Sequence, residues 1–257
     1  MANKTLRLRV ARITPAAEDI RSYELVPAEG GQLPAFEAGS HLDVHVPGGF
    51  MRQYSLCNDP EETHRYVITV QRDDRGRGGS RAMHEQVREG DVLSTSLPRC
   101  DFPLIYGRGY VLVAGGIGIT PLLSMAHVLE RQGAPWHLYY CTRSPERTAF
   151  RELLATTFAG HVTFHHDGGD PSRGLDVRAL LATRTGNTRL YCCGPAGLMR
   201  AVREAALHHQ WPREKLHFEA FSAEASGAIG DSSGTGRQAV VRNTSAARPV
   251  SPAPLDL

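Results

Sequence analysis

The sequence has no apolar run approaching the roughly 18 residues of a membrane-spanning helix, and its opening stretch, MANKTLRLRV, lacks the apolar core of a signal peptide. Neither a membrane protein nor an exported one is indicated, and a cytoplasmic location is expected. Charge of one sign is not in excess either, because the formal net charge of the 257 residues is only +2. Bulk electrostatics therefore point to no nucleic acid and no anionic membrane as partner, and no basic stretch carries interleaved aromatics for stacking bases. Cysteine is scarce and scattered: Cys57, Cys100, Cys141, Cys192 and Cys193 are odd in number and lack a framework spacing, which fits reduced thiols. Adjacent Cys192 and Cys193 would face opposite sides of a strand and are poor partners for each other. No glycine loop is followed by a Walker lysine, so a nucleoside triphosphatase is not supported.

What is present is globular, with 41% hydrophobic and 22% charged residues and a length that allows two domains. The chain is organised around residues 110–121, YVLVAGGIGITP. Residues 111–114 read as a buried strand, and Gly115, Gly116 and Gly118 let the backbone turn sharply and approach a ligand. Thr120 is expected to N-cap the following helix with Pro121 at its first position, and Leu122, Met125, Ala126 and Leu129 recur at helical spacing. The helix N-terminus is then open to an anion, and a dinucleotide pyrophosphate is the obvious candidate. The dinucleotide fingerprint is matched imperfectly, since it needs glycine where Pro121 stands and an acid near Arg143 and Ser144. A second unit, RLYCCGPAGLMRAV from Arg189, repeats strand, turn and helix through Gly194 and Pro195. Two such units on one parallel sheet make a cleft at the carboxyl ends of the strands.

The first half has a period of two. TLRLRVARI, IRSYELV, HLDVHV, MRQYSLC, RYVITVQR and DVLSTSLP read as six short strands of an antiparallel sheet, most economically closed as a small barrel. Alternation puts Arg52 and Tyr54 on one face of their strand and Ser55 on the other. Aromatic, hydroxyl and guanidinium groups together can hold a flat ring with a phosphate tail, although alone this is an ordinary half-exposed strand. RGRGGSRAMHEQV offers a second anion site, in which Gly76, Gly78 and Gly79 open a loop, Ser80 is expected to cap a short helix and Arg75 and Arg77 bring charge. The alternative is a solvated basic loop.

Taken in order, FEAGSHLDV, RQYSLCND, YVITVQRD, GRGGSRAMHE, VAGGIGITPLLSMA, YYCTRSPERTAF, YCCGPAGLM and LHFEAF resemble the phthalate dioxygenase reductase family of the ferredoxin reductase superfamily, which includes the vanillate demethylase reductases. The resemblance implies an antiparallel β-barrel flavin domain over residues 1–104 and an α/β parallel-sheet domain binding NAD over 105–221. It implies that Arg52, Gln53, Tyr54 and Ser55 line the flavin, that Thr69, Val70 and Gln71 border its ring, and that Arg77, Gly78, Gly79 and Ser80 hold its phosphate. The short GRGGS loop is associated in the family with FMN. Gly115, Gly116, Gly118, Pro121, Gly194 and Pro195 belong to the nucleotide turns, Thr120 to the meeting of flavin and nicotinamide, and Phe221 to the cover over the ring. Arg143 and Ser144 would lie near the adenosine ribose, and the family favours NADH over NADPH. Cys193 is read as giving the nicotinamide room, not as a nucleophile; a small buried residue is the plainer alternative.

His161, His165, His166 and Asp167 lack zinc-finger or helical spacing, so no metal is expected there. The family continues into a plant-type ferredoxin domain with four cysteine thiolates on [2Fe–2S], whereas these residues hold no cysteine after Cys193. Residues 222–257 are rich in Ser, Ala, Gly and Pro and are expected to be a disordered tail. The function expected is an FMN-containing NADH oxidoreductase, the reductase component of an aromatic-ring oxygenase or O-demethylase system in aromatic compound catabolism. Its electrons would pass to an oxygenase component or a separate ferredoxin. A stand-alone diaphorase or flavin reductase, and a non-catalytic truncated remnant, are the alternatives.

Overall fold

A computed structural model describes residues 5–183 and 187–221, so the expectation of a disordered segment over 222–257 lies outside the described residues. The period-two half forms β1 (Thr5–Ala17), β2 (Ile20–Pro27), β3 (Ser40–Val46), β4 (Phe50–Ser55), β5 (Tyr66–Gln71), helix α1 (Gly79–Gln86), β6 (Val92–Ser96) and the short β7 (Arg99–Cys100). The strands pair antiparallel in the order β4-β3-β6-β1-β2-β5, with β7 also on β3. Inward residues such as Leu8, Val10, Leu25, Leu42, Val44 and Ile68 are buried together, which is what alternation produces when one face of each strand meets a common core. The two edge strands meet just past the end of β4, through a Leu56–Ile68 bridge and a Cys57 N–H donated to the Val67 carbonyl at 3.0 Å. Closure is thus confined to one end, and α1 lies against β3, β4 and β5.

The second half continues with β8 (Gly109–Gly115), α2 (Ile119–Arg131), β9 (Trp136–Thr142), α3 (Arg151–Thr157), β10 (Val162–His166), α4 (Val177–Ala182), β11 (Thr188–Cys193), α5 (Ala196–His208) and β12 (Leu216–Glu219). Its five strands are all parallel, in the order β10-β9-β8-β11-β12. Along β8 the side chains alternate, Leu112 and Ala114 joining α2 on one face while Val111 and Val113 join α4 and α5 on the other. Cys193 and Cys192 divide in the same way.

The halves share a core. Ile20, Ala38, Cys57 and Phe102 from the first half pack in one cluster with Leu122 and Met125 of α2. Around it, Arg131 reaches Asp59 at 2.7 Å and Arg147 reaches Glu18 at 2.6 Å. The connecting segment is pinned by tyrosines: the Tyr191 hydroxyl accepts from the Ile105 N–H at 2.7 Å and donates to the Pro103 carbonyl at 3.2 Å.

Burial holds His41, His84, His127, His137, His165 and His217 below the ordinary histidine range. A group with a depressed folded pKa takes up its proton more readily when unfolded, so its contribution is complete above about pH 6.5 and is lost as pH falls through the folded value. Glu219, raised to about 7 by burial first and by Asp101 second, acts in the opposite direction but is a single group. The thermal midpoint is expected to drop as pH is lowered from 7.5 to 5.5; a flat or rising midpoint over that interval would contradict the buried neutral histidines.

Candidate active site

The site begins where two turns at the carboxyl ends of β8 and β11 press together. A Cβ added at Gly118 would lie 2.2 Å from the Cys193 carbonyl oxygen, and one at Gly194 would lie 2.9 Å from the Gly115 Cα. One at Gly115 would meet Pro195 and Leu198 at 2.7 Å. Gly118 and Gly194 are required by the contact of one backbone with another, and Gly115 by the Pro195 and Leu198 side chains, not only by an approaching ligand. Gly116 differs: its φ is +52° and its missing side chain points into open space, so here the turn leaves room for something else. Tyr140 of β9 donates its hydroxyl to the Gly116 carbonyl at 3.1 Å and holds that turn from the far side.

Helix starts differ from the sequence reading. A 3₁₀ turn, Gly116–Gly118, runs directly into α2, so Thr120 is inside the first turn and does not cap it. Buried Thr120 donates its hydroxyl to the Ile117 carbonyl at 3.0 Å, and Pro121 is the third helical residue, still among the positions that need no intrahelical donor. Ser80 is likewise not a cap. Gly78, at φ +88°, precedes α1, and the Ser80 hydroxyl accepts the Asp73 N–H at 3.1 Å.

On the barrel, Arg52 and the glycine loop meet. A Cβ at Gly79 would lie 2.5 Å from the Arg52 Nε, so only glycine lets the guanidinium lie along the start of α1. Arg52 donates to the Met51 carbonyl at 2.8 Å and the Arg77 carbonyl at 3.4 Å, with its guanidinium over the Phe50 ring. Tyr54 shares that face of β4, and its hydroxyl is buried without a partner, which pushes its pKa up. Ser55 is buried and Gln53 exposed. The Thr69 hydroxyl is 2.8 Å from the Ser22 hydroxyl and 3.4 Å from the Cys57 sulfur. Val70 is buried and Gln71 exposed. The decisive juxtaposition is that β5 runs beside the Gly116–Gly118 turn, which brings a barrel strand and one of the glycine turns together.

Cys193 is fully buried, and its thiol is pushed far up by burial first and then by Glu219. A thiol so protonated is no nucleophile at neutral pH. Opposite it on β12 stands Glu219, whose Oε2 is buried with no hydrogen-bond partner and whose pKa is raised to about 7. Sequence reasoning passed over this residue, although alternation along LHFE puts His217 beside Tyr191 and Glu219 beside Cys193. Phe221, exposed and two residues beyond, ends the described chain. Arg143 and Ser144 lie just past β9; Arg143 accepts the Gly168 N–H at its carbonyl, and Ser144 accepts the Thr148 hydroxyl at 2.9 Å. His161 Nδ1 is 3.0 Å from the Trp136 carbonyl oxygen, and His166 Nδ1 is 2.9 Å from the Thr142 hydroxyl. Among the described residues no group of three His, Cys, Asp or Glu side chains is placed to hold a metal, and no helix is long and apolar enough to cross a membrane.

Residues 112–204 match the oxidoreductase NAD-binding domain family. The phthalate dioxygenase reductase of Burkholderia cepacia is 47% identical over 226 residues, covering 87% of this chain and 70% of the relative. The chain belongs to the phthalate dioxygenase reductase family. Other members include the vanillate O-demethylase oxidoreductase of Pseudomonas putida, 47% identical over 84% of this chain and 69% of its own length. A tert-butanol monooxygenase / tert-amyl alcohol desaturase reductase subunit of Aquincola tertiaricarbonis is 50% identical over 84% of this chain, which spans 64% of that relative. A solved phthalate dioxygenase reductase, described as a modular structure for electron transfer from pyridine nucleotides to [2Fe–2S], superposes with a TM-score of 0.81 at 47% identity. That match covers 84% of this chain and 68% of the other.

Two consequences can be measured. Gly118→Ala forces backbone against backbone and is expected to cost about 2–3 kcal/mol by chemical denaturation, whereas Gly116→Ala, strained only in φ, costs about 1–2 kcal/mol. The reverse order would mean that the two turns do not interlock. Glu219→Gln removes a carboxylate that must be desolvated when charged, so it is expected to stabilise the fold at pH 8.5, on the order of 2 kcal/mol, and to do little at pH 5. An equal effect at both pH values would contradict the raised pKa.

Proposed function

We propose that this chain is an FMN-dependent NADH oxidoreductase of the cytoplasm, the reductase component of an aromatic-ring oxygenase or O-demethylase system, with residues 1–104 as the flavin half and 105–221 as the nucleotide half. The reading rests on one observation: β5 of the barrel lies beside the Gly116–Gly118 turn, so ligands on the two halves would be neighbours. Hydride transfer between two planar rings needs that proximity. Its relatives are named as reductases of oxygenase and demethylase systems, and one is described as passing electrons from pyridine nucleotides to [2Fe–2S].

The residues fit a flavin phosphate and ring. Tyr54 keeps a buried hydroxyl without a partner, and α1 starts without a side-chain cap beside the Arg52 guanidinium. Bound flavin would supply the conversion of a two-electron hydride into single-electron steps. Arg52 and residues 77–80 hold the phosphate by charge and by the helix N-terminus, while Gln53, Tyr54 and Ser55 orient the ring and the backbone of residues 69–71 borders it. Gly115, Gly116, Gly118, Thr120, Pro121, Gly194 and Pro195 shape the nucleotide turn, and Arg143 and Ser144 serve the adenosine ribose. Cys193 gives the nicotinamide close approach, and Phe221 covers the ring until nicotinamide takes its place. The electron acceptor is an oxygenase component or a separate ferredoxin, in keeping with relatives named as reductases of oxygenase and demethylase systems, one of them described as passing electrons to [2Fe–2S].

Purified protein supplied with FMN should be yellow, bleach on anaerobic addition of NADH faster than with NADPH, and reduce ferricyanide. Oxygenase turnover should then depend on an iron–sulfur carrier. Failure to retain any flavin would favour the non-catalytic alternative, and oxygenase turnover without a carrier would refute the acceptor assignment. Arg52→Ala should weaken flavin retention by about 1.5–3 kcal/mol, the range for a hydrogen bond to a charged group. Flavin content unchanged after dialysis would remove that contact. Cys193→Ser should leave flavin bound but slow bleaching in stopped flow; an unchanged rate would move Cys193 away from the nicotinamide.

A further inference from the structure

Helix α1 has eight residues, a length at which an isolated helix is marginal in water, and no side chain caps its first turn. Its order must come from ties to the sheet, and three of them gather at residues 83 and 84. Tyr23 of β2 donates its hydroxyl to the Met83 carbonyl at 2.9 Å, and Arg21 donates to the His84 carbonyl at 2.8 Å. The third tie is the His84 side chain. It is buried, has the Tyr23 ring edge-on at 6.5 Å, and brings its Nε2 to 2.9 Å from the Val70 carbonyl oxygen of β5. A carbonyl oxygen can only accept, so Nε2 carries the proton. Burial keeps the ring below the ordinary histidine range even though the Val70 hydrogen bond works the other way. The imidazole therefore makes this contact as a neutral group with one N–H.

His84 joins the two segments that a flavin mononucleotide has to bridge. At the other end of α1 are residues 77–80 and the Arg52 guanidinium, and β5, which carries Val70 between Thr69 and Gln71, runs beside the Gly116–Gly118 turn. We propose that His84 is a positioning residue for the flavin: by donating to the Val70 carbonyl it fixes the separation between the phosphate end and the ring end of the cradle. This rests on the reading of those two segments given above. Ring and phosphate are covalently joined, so the phosphate adds fully to affinity only if its site is already held at the matching distance when the ring binds. A loosened α1 would have to be ordered by the ligand, and the phosphate contribution would shrink while the ring contribution stayed.

The readout is the phosphate advantage, the ratio of riboflavin Kd to FMN Kd, measured by flavin fluorescence titration of the full chain freed of flavin. In the wild type FMN is expected to bind more tightly than riboflavin. His84→Gln can still donate to the Val70 carbonyl and should keep that advantage within about threefold, whereas His84→Phe fills the space without a donor and should lower it about tenfold with riboflavin affinity little changed. An advantage fully retained in His84→Phe, or both flavins weakened in equal proportion, overturns the positioning role and leaves the phosphate assignment standing. A wild type that does not distinguish FMN from riboflavin overturns the phosphate assignment itself and the proposal with it. Amide hydrogen exchange gives a second measurement on the unmutated, flavin-free chain. Amides of residues 82–86 should exchange at least about 100-fold more slowly than those of an unstructured peptide, and exchange at the peptide rate overturns the tie even if the phenylalanine variant does not fold.

Discussion

The contact on which the rest of this molecule depends is between two stretches of bare backbone. Gly118 rests on the carbonyl of Cys193, and Gly194 rests on Gly115, with no side chain intervening. This proximity lets β8 and β11 end side by side in parallel register, with Ala114 opposite Cys193, and it fixes where α2 and α5 begin. It also determines what else can be at the cleft. Opposite Cys193, which is held by its own carbonyl against one turn, its neighbour on β12, Glu219, has one carboxylate oxygen buried without a partner.

The barrel contributes a different kind of constraint. Its sheet is joined at one end by the Leu56–Ile68 bridge, and α1 lies against the strands on either side of that seam. The start of α1 lies beside the Arg52 guanidinium of β4, while the shared core around Ile20, Ala38, Leu122 and Met125 accompanies the placement of β5 beside the Gly116–Gly118 turn. The two halves are thereby made parts of one packed body.

Much of this was legible in the residues, for identifiable reasons. Strict alternation in stretches such as HLDVHV and RYVITVQR is hard to satisfy except by strands with one buried face, and strand–glycine–helix twice over demands a parallel sheet. The misreadings have equally local causes. Thr120 and Ser80 carry the right chemistry for caps, but a 3₁₀ turn in one case and a left-handed Gly78 in the other start the helix earlier, and each hydroxyl then finds a backbone partner of its own. Glu219 was hidden because β12 has only four residues, too few for a period to stand out, and because its significance comes from Cys193, which is distant in sequence. The sharing of the Thr69 hydroxyl with Ser22 and Cys57 depends on strand pairing, which no single stretch reveals.

The way the five cysteines are housed has a chemical consequence. Burial pushes Cys57 and Cys192 up to about 12 and Cys141 to about 11, and it raises Cys100 and Cys193 as well. Peroxide attacks thiolate far faster than thiol, and at neutral pH these sulfurs offer almost none. A reduced flavin exposed to oxygen sheds some electrons as peroxide within ångströms of its own protein. A fold that stores Cys57, Cys192 and Cys193 as buried, protonated packing groups can stand next to such a source without those sulfurs being sulfenylated by it.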